Sequence, residues 1–205
     1  MANWAYTSYV IEGPKEALQK IEQAINIALG KEEYKGSEPL NKEAAEGWEG
    51  NMLIALGIEW EDRKPDGTGV YLRGFIDDKA WWDDNGSLRF NAEEAWGATD
   101  LNEVLEKNIQ GIKVYYSVEE EGCEVFATND KEGKHFSERY WVDTAMDDIY
   151  QSEYFKTEKQ VYEWLSKITN GMVKCEEDVR KFNADHEEAC DDDENFINIH
   201  KFDVV

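Results

Sequence analysis

LRFNAEEAWGATDLNEVLEKNIQGIKVYYSVEEEGCEVFATND, residues 88–130, decides the fold, because the hydrophobic period changes twice within it. Leu88 and Phe90 open a strand. Leu101, Val104, Leu105 and Ile109 follow helical spacing. From residue 112 to 118 the apolar Ile112, Val114, Tyr116 and Val118 fall on every second position. Side chains of a strand alternate between faces, so this segment predicts a strand with one buried and one wetter face. Asp100 and Glu103 have the chemistry of a capping box at the helix start, and Gly111 is placed to close the helix. Residues 119–122 predict a turn with Gly122 at positive φ, after which Cys123, Val125 and Ala127 resume the alternation.

Upstream, residues 4–12 predict a first strand with apolar groups on both faces, which suits a central position. Pro14 fits the first position of a helix running to about Leu29. Leu18, Ile21, Ile25, Ala28 and Leu29 form its stripe, and Gly30 follows as the C′ residue. Residues 31–65 are irregular and predict an insertion with one short helix over 48–56. Residues 70–76 predict the second strand and Asp83-Asp84-Asn85-Gly86 a turn before the third. The order strand, helix, strand, strand, helix, strand is that of an α+β, ferredoxin-like split β-α-β sandwich (βαββαβ), with helices on one face of an open sheet. A β-hairpin and C-terminal helices extend it. Residues 135–142 predict a further strand, Thr157 with Gln160 a capped helix ending at Gly171, and residues 196–204 a terminal strand. The domain organisation predicted is 1–130, with the insertion at 31–65, and a 131–205 extension packed on the same domain.

The chain of 205 residues carries 22 Lys+Arg against 46 Asp+Glu, a net charge of −24. Such a surface repels phosphate backbones, so no direct nucleic-acid binding is expected. At this length roughly 70% of the unfolded surface can be buried, and 13% aromatic content with eight Trp favours a packed core. Cys123, Cys175 and Cys190 form no paired framework, which fits a reducing compartment. No signal peptide is read at the N-terminus, and no apolar run nears the ~18–20 residues of a membrane span. A cytoplasmic protein with no membrane association is expected.

Nucleotide motifs, G-x-S-x-G and H-E-x-x-H are absent from the sequence, and no cofactor is expected. Cys175, His186 and Cys190 have a spacing that matches no common zinc pattern, and half-buried helix positions are the plainer reading. Asp77-Asp78, Asp83-Asp84-Asn85 and residues 191–194 offer oxygen ligands but lack the alternation of a calcium loop, so no metal site is assigned. His135, His186 and His200 bring no catalytic partner in sequence. Glu93 and Glu94 beside Trp96 invite a carboxylate-pair mechanism but bring no evident pocket. Trp81 and Trp82, between two acidic pairs, are the candidate binding residues, because adjacent residues diverge in direction and Trp is enriched at binding hot spots.

Asn3-Trp4 before a strand ending in Gly13, the Phe90-x-x-x-x-Ala95-Trp96 segment and the 112–122 strand closing on Glu-Glu-Gly resemble YubB-like proteins. The resemblance covers residues 2–130. Where that family has Thr-Ala-Trp, this chain has Glu94-Ala95-Trp96. It implies a ferredoxin-like domain carried by plasmids, phages and integrated elements, of unknown function and without catalytic residues to transfer. Three functions fit the sequence: a non-catalytic interaction module with a protein partner, an enzyme using acidic residues on a small molecule or metal, and an acidic DNA mimic.

The apolar stripe of the first helix supplies a direct test. Each of its large side chains contributes about 1.5–3 kcal/mol on burial. Ile25→Asp is expected to unfold the protein or lower its urea midpoint sharply, whereas Lys20→Asp on the outer face leaves the midpoint nearly unchanged.

Overall fold

A computed structural model describes residues 3–146, 149–187 and 195–205. The fold is mixed α+β, and the chain divides into two compact units, Met1–Asp130 and Lys131–Val205.

In the first unit, β1 (Trp4–Glu12) lies at the centre of the sheet. It pairs on one side with β4 (Leu88–Ala95) and on the other with β5 (Lys113–Glu120), both antiparallel. β2 (Gly74–Ile76) and the two-residue β3 (Trp81–Trp82) lie along the outer edge of β4. β6 (Val125–Thr128) pairs with β5. The order across this unit is β6-β5-β1-β4-β2, every neighbouring pair antiparallel.

The register explains which residues are buried. Thr7, Tyr9 and Ile11 share a face with Ala92, Phe90 and Leu88 of β4 and with Val118, Tyr116 and Val114 of β5. Helix α1 (Lys15–Ala28) covers that face with Leu18, Ile21, Ala24 and Ile25, and α3 (Leu101–Asn108) with Leu101, Val104 and Leu105. Both helices therefore pack on the same side, in one core with Met52 and Leu53 of α2 (Glu49–Ala55). The rings of Tyr9 and Phe90 stack within it, 4.8 Å apart and inclined by 12°.

Five local expectations change. Only Gly74–Ile76 of the predicted second strand joins the sheet, because the preceding residues are engaged elsewhere. Val70 bonds to Glu61 and Arg63 through its backbone, and the Tyr71 N–H donates to the Asp100 carboxylate. That contact also removes the predicted capping box, since Asp100 is occupied by Tyr71 and Arg63 and makes no side-chain cap to α3. After β5, Glu124 rather than Gly122 takes the left-handed conformation (φ +56°), while the Glu120 carboxylate accepts from the N–H groups of Gly122 and Cys123. Pro14 sits one residue earlier than predicted, as the N-cap of α1. The strand predicted at 135–142 forms later, at Tyr140–Met146.

The second unit has a three-stranded antiparallel sheet, β8-β7-β9, formed by β7 (Tyr140–Met146), β8 (Ile149–Phe155) and β9 (Phe196–Lys201). Two helices, α4 (Glu158–Ile168) and α5 (Glu176–Glu187), share its core of Val142, Val161, Leu165, Val173, Val179 and Ile197. The Thr157–Gln160 capping box of α4 is present in both directions. A two-residue strand, β10 (Asp203–Val204), ends the chain. Among the described residues no helix is long and apolar enough to cross a membrane.

Gly47 ties the insertion to the first unit. Its N–H donates to Ala28 O at the end of α1, and its carbonyl accepts from the Ile76 N–H of β2. Its φ is +81°, and a Cβ there would stand 2.3 Å from Ile76 O. Gly47→Ala is expected to destabilise the protein by about 1–3 kcal/mol, read as a lowered urea midpoint. An unchanged midpoint would mean that the staple carries no stability.

Candidate functional site

The face of the sheet opposite α1 and α3 is rich in exposed aromatic rings. Trp4 and Tyr6 project from β1 on this side, with Glu93 and Glu119 directly across from Tyr6 on the two neighbouring strands. Phe75 of β2 continues the row beyond Glu93 and meets Trp4 edge-on, at 5.8 Å between centroids. Trp81 stands on the same side, opposite Arg89, whose guanidinium is ion-paired with Asp83. Trp4 is 47% exposed, Tyr6 45% and Trp81 43%. Rings of this size normally bury most of their area. Partial burial, followed by the Asp77 and Glu119 carboxylates, raises the pKa of the Tyr6 hydroxyl, which marks the local field as negative.

Trp96 adds to this exposed set. It is 48% exposed and follows Ala95, the cross-strand partner of Trp4. Its φ of +69° is a left-handed conformation that costs a bulky residue about 1–3 kcal/mol. Of the two candidate residues read from the sequence, Trp81 is the outward one. Trp82 faces the other way, opposite Leu88, and packs partly buried against the core. The outer edge of β2 is already occupied, since Trp48 bridges to Phe75 and Ile76 N–H bonds to Gly47.

Carboxylates do come together, but not as neighbours in sequence. Glu93 and Glu94 point to opposite faces of β4, and Glu94 lies buried on the helix side. There it meets Glu49, the first residue of α2, also buried. Tyr9 Oη donates to Glu94 Oε1 at 2.6 Å. Thr99 Oγ1 is 2.8 Å from Glu94 Oε1 and 3.0 Å from Glu49 Oε2. A threonine has one hydroxyl proton, so both contacts are hydrogen bonds only when one of the carboxyls is itself a donor. That donor is Glu49. Burial, then the nearby Glu94 carboxylate, raises its pKa well above the ordinary carboxyl value. Glu49 Oε1 and Glu94 Oε2 have no hydrogen-bond partner, and a proton on Glu49 removes the repulsion between two buried carboxylates. Gly74 clears the space, since a Cβ there would lie 2.3 Å from Glu49 Oε1.

The remaining candidates separate. Cys190 and residues 191–194 lie outside the described residues. Among the described residues no group of three or more His, Cys, Asp or Glu is placed to hold a metal ion. His186 Nδ1 lies 2.7 Å from Phe182 O, one turn back on α5. The Asp83 carboxylate accepts from the N–H groups of Asn85 and Ser87 and from Arg89, which makes it the organiser of its turn. His200 Nε2 is 3.0 Å from Asp143 Oδ1, and its buried ring stacks on Trp141 at 5.0 Å, tying β9 to β7.

The Glu49–Glu94 pair makes stability depend on pH in a defined direction. Folded Glu49 keeps its proton to a higher pH than the unfolded carboxyl, which titrates near 4.5. The pair's contribution is therefore full below that value and is lost as pH rises toward the raised native pKa. Glu49→Gln keeps the shape and a donor but has no proton to lose. Urea midpoints measured between about pH 5 and 9 are expected to show the variant gaining on the wild type as pH rises; parallel curves would exclude the raised Glu49 pKa.

No family model matches the chain, and no curated protein or solved structure matches it either.

Proposed function

We propose that the chain is a non-catalytic interaction module that engages a protein partner through the exposed rings of Trp4, Tyr6 and Trp81, on the sheet face opposite the helices. The observation that carries this reading is the exposure of Trp4, Tyr6 and Trp81 on one face while the opposite face is filled by both helices. Exposed apolar patches on soluble proteins mark interaction sites, and Trp and Tyr dominate their energetics. The strained Trp96 supports the same reading, because strain at an exposed ring gains nothing for the core.

The ferredoxin-like split β-α-β arrangement and the kinship with YubB-like proteins belong to this proposal. The order β5-β1-β4-β2, antiparallel throughout, with α1 between β1 and β2 and α3 between β4 and β5, supports the fold. β3 and β6 are additions to the four-strand frame. A link to mobile elements follows from the resemblance alone. A carboxylate enzyme has less support, because Glu49 and Glu94 are sealed in the core and Glu93 faces away from both.

Trp4→Ala and Trp81→Ala are expected to leave the circular dichroism spectrum intact and to abolish retention of partners that the wild-type protein captures. Folded variants that keep every partner would remove these exposed rings from the interaction.

A further inference from the structure

We propose that a single proton on Glu49 gates the edge of the larger sheet, closing the 47–49 backbone onto β2 and so holding Phe75 against the exposed Trp4 ring. The gate stands apart from the interaction-module reading, and only its effect on a partner rests on it.

The geometry is a seam of three residue pairs. Residues 47–49 run antiparallel beside β2, with Trp48 bridged to Phe75. Ile76 N–H donates to Gly47 O, and Gly74 lies against Glu49, where a Cβ would stand 2.3 Å from Oε1. On its other side β2 pairs with β4, and there Gly74 is opposite Glu94. The two buried carboxyls therefore meet at the one position of β2 that carries no side chain. The next residue, Phe75, meets the Trp4 ring at 5.8 Å. A change at Glu49 thus has a short path, through β2, to an exposed ring.

The closed seam needs the proton. Thr99 Oγ1 lies 2.8 Å from Glu94 Oε1 and 3.0 Å from Glu49 Oε2, and its single proton serves one of them. The ionisable groups facing Glu49 are Glu94 of β4, Tyr9 of β1 and Tyr71 ahead of β2, all of them acids. The Arg63 and Arg73 charges act on Tyr71, whereas burial and then Glu94 raise the Glu49 pKa. When the proton leaves to solvent, two charged carboxylates remain buried beside Gly74. Glu94 is fixed in β4 between β1 and β2, so relief comes from withdrawal of Glu49 with the seam, which loosens β2. Once withdrawn, Glu49 titrates near 4.5. Between that value and the raised native one, opening is favoured about tenfold more for each pH unit gained.

Amide hydrogen exchange, resolved by residue between about pH 5 and 8 and corrected for the intrinsic chemical rate, tests the gate. In the wild type, protection at residues 47–55 and 74–76 is expected to fall about tenfold per pH unit. In Glu49→Gln it is expected to stay level, and circular dichroism checks that this variant folds. Amides of β1 and β5 are expected to remain better protected than both segments at every pH. A level wild-type profile, or the same fall in Glu49→Gln, would overturn the proposal. Equal protection of 74–76 and β1 would also overturn it, because the unit would then open only as a whole. Should Glu49→Gln fail to fold, a carbon-13 titration of the wild-type glutamate carboxyls decides. One carboxyl titrating well above 4.5 is expected, and its absence would overturn the gate. The partner-retention experiment with Trp4→Ala and Trp81→Ala decides the interaction module separately.

Discussion

The hydrogen bond from Tyr9 to Glu94 is where the apolar core and the buried carboxyls meet. The Tyr9 ring stacks on Phe90 among the side chains of α1 and α3, and its hydroxyl donates to Glu94 at 2.6 Å. A carboxylate taken out of water needs several donors, and the sheet supplies only Tyr9. Thr99, just before α3, is the second donor, and protonated Glu49, at the start of α2, donates to Thr99 in turn. Undocking α2 would take away the Glu49 carboxyl that the Thr99 hydroxyl meets at 3.0 Å. The insertion is therefore bound to the frame by polar as well as apolar contacts, and Gly47 adds a backbone staple beside them. One face of the sheet is consumed in this way.

The frame was readable because its elements carry strong periods. Residues 4–12, the stripe from Leu18 to Ala28 and the alternation after Ile112 each need a single rule to assign, and all three occur as expected. Tertiary competition accounts for most of the departures. Asp100 had the right chemistry to cap α3, but Tyr71 N–H and Arg63 lie nearer to it in space than any sequence window can show. Residues 70–73 alternate well enough for a strand, yet the backbone groups of Val70 are drawn to residues 61–63 and those of Tyr71 to Asp100. At Glu120 a side chain caps the turn, so the left-handed residue shifts to Glu124.

The buried carboxyl pair left half a signal in the sequence. In LRFNAEEA the core phase is Leu88, Phe90, Ala92, and the next member of that phase is Glu94. A charged residue at a core position requires a compensating partner, and that inference was available without coordinates. Its partner was not. Glu49 belongs to an irregular insertion, and nothing in the local sequence distinguishes it from the exposed acids around it. The divergence of Trp81 and Trp82 was available from alternation, but which one faces outward depends on the β3 register against β4. Trp4 and Tyr6 were less visible, because a strand apolar on both faces reads as doubly covered.

A net charge of −24 and an exposed aromatic face answer different parts of one recognition problem. Long-range charge raises the rate at which cations arrive and deters polyanions, but screening beyond about 8 Å leaves distant charges little power to choose a position. Short-range selectivity must come from groups held rigidly, and those on β1, β4 and β5 are held by sheet pairing. A partner bearing basic groups would be attracted by the whole surface and positioned only where rigid groups select it. On the face opposite the helices, carboxylate and ring alternate at Glu119, Tyr6 and Glu93. Glu94 and Glu49 turn inward, so the carboxylates that this row of the sheet presents on the outer face are Glu93 and Glu119.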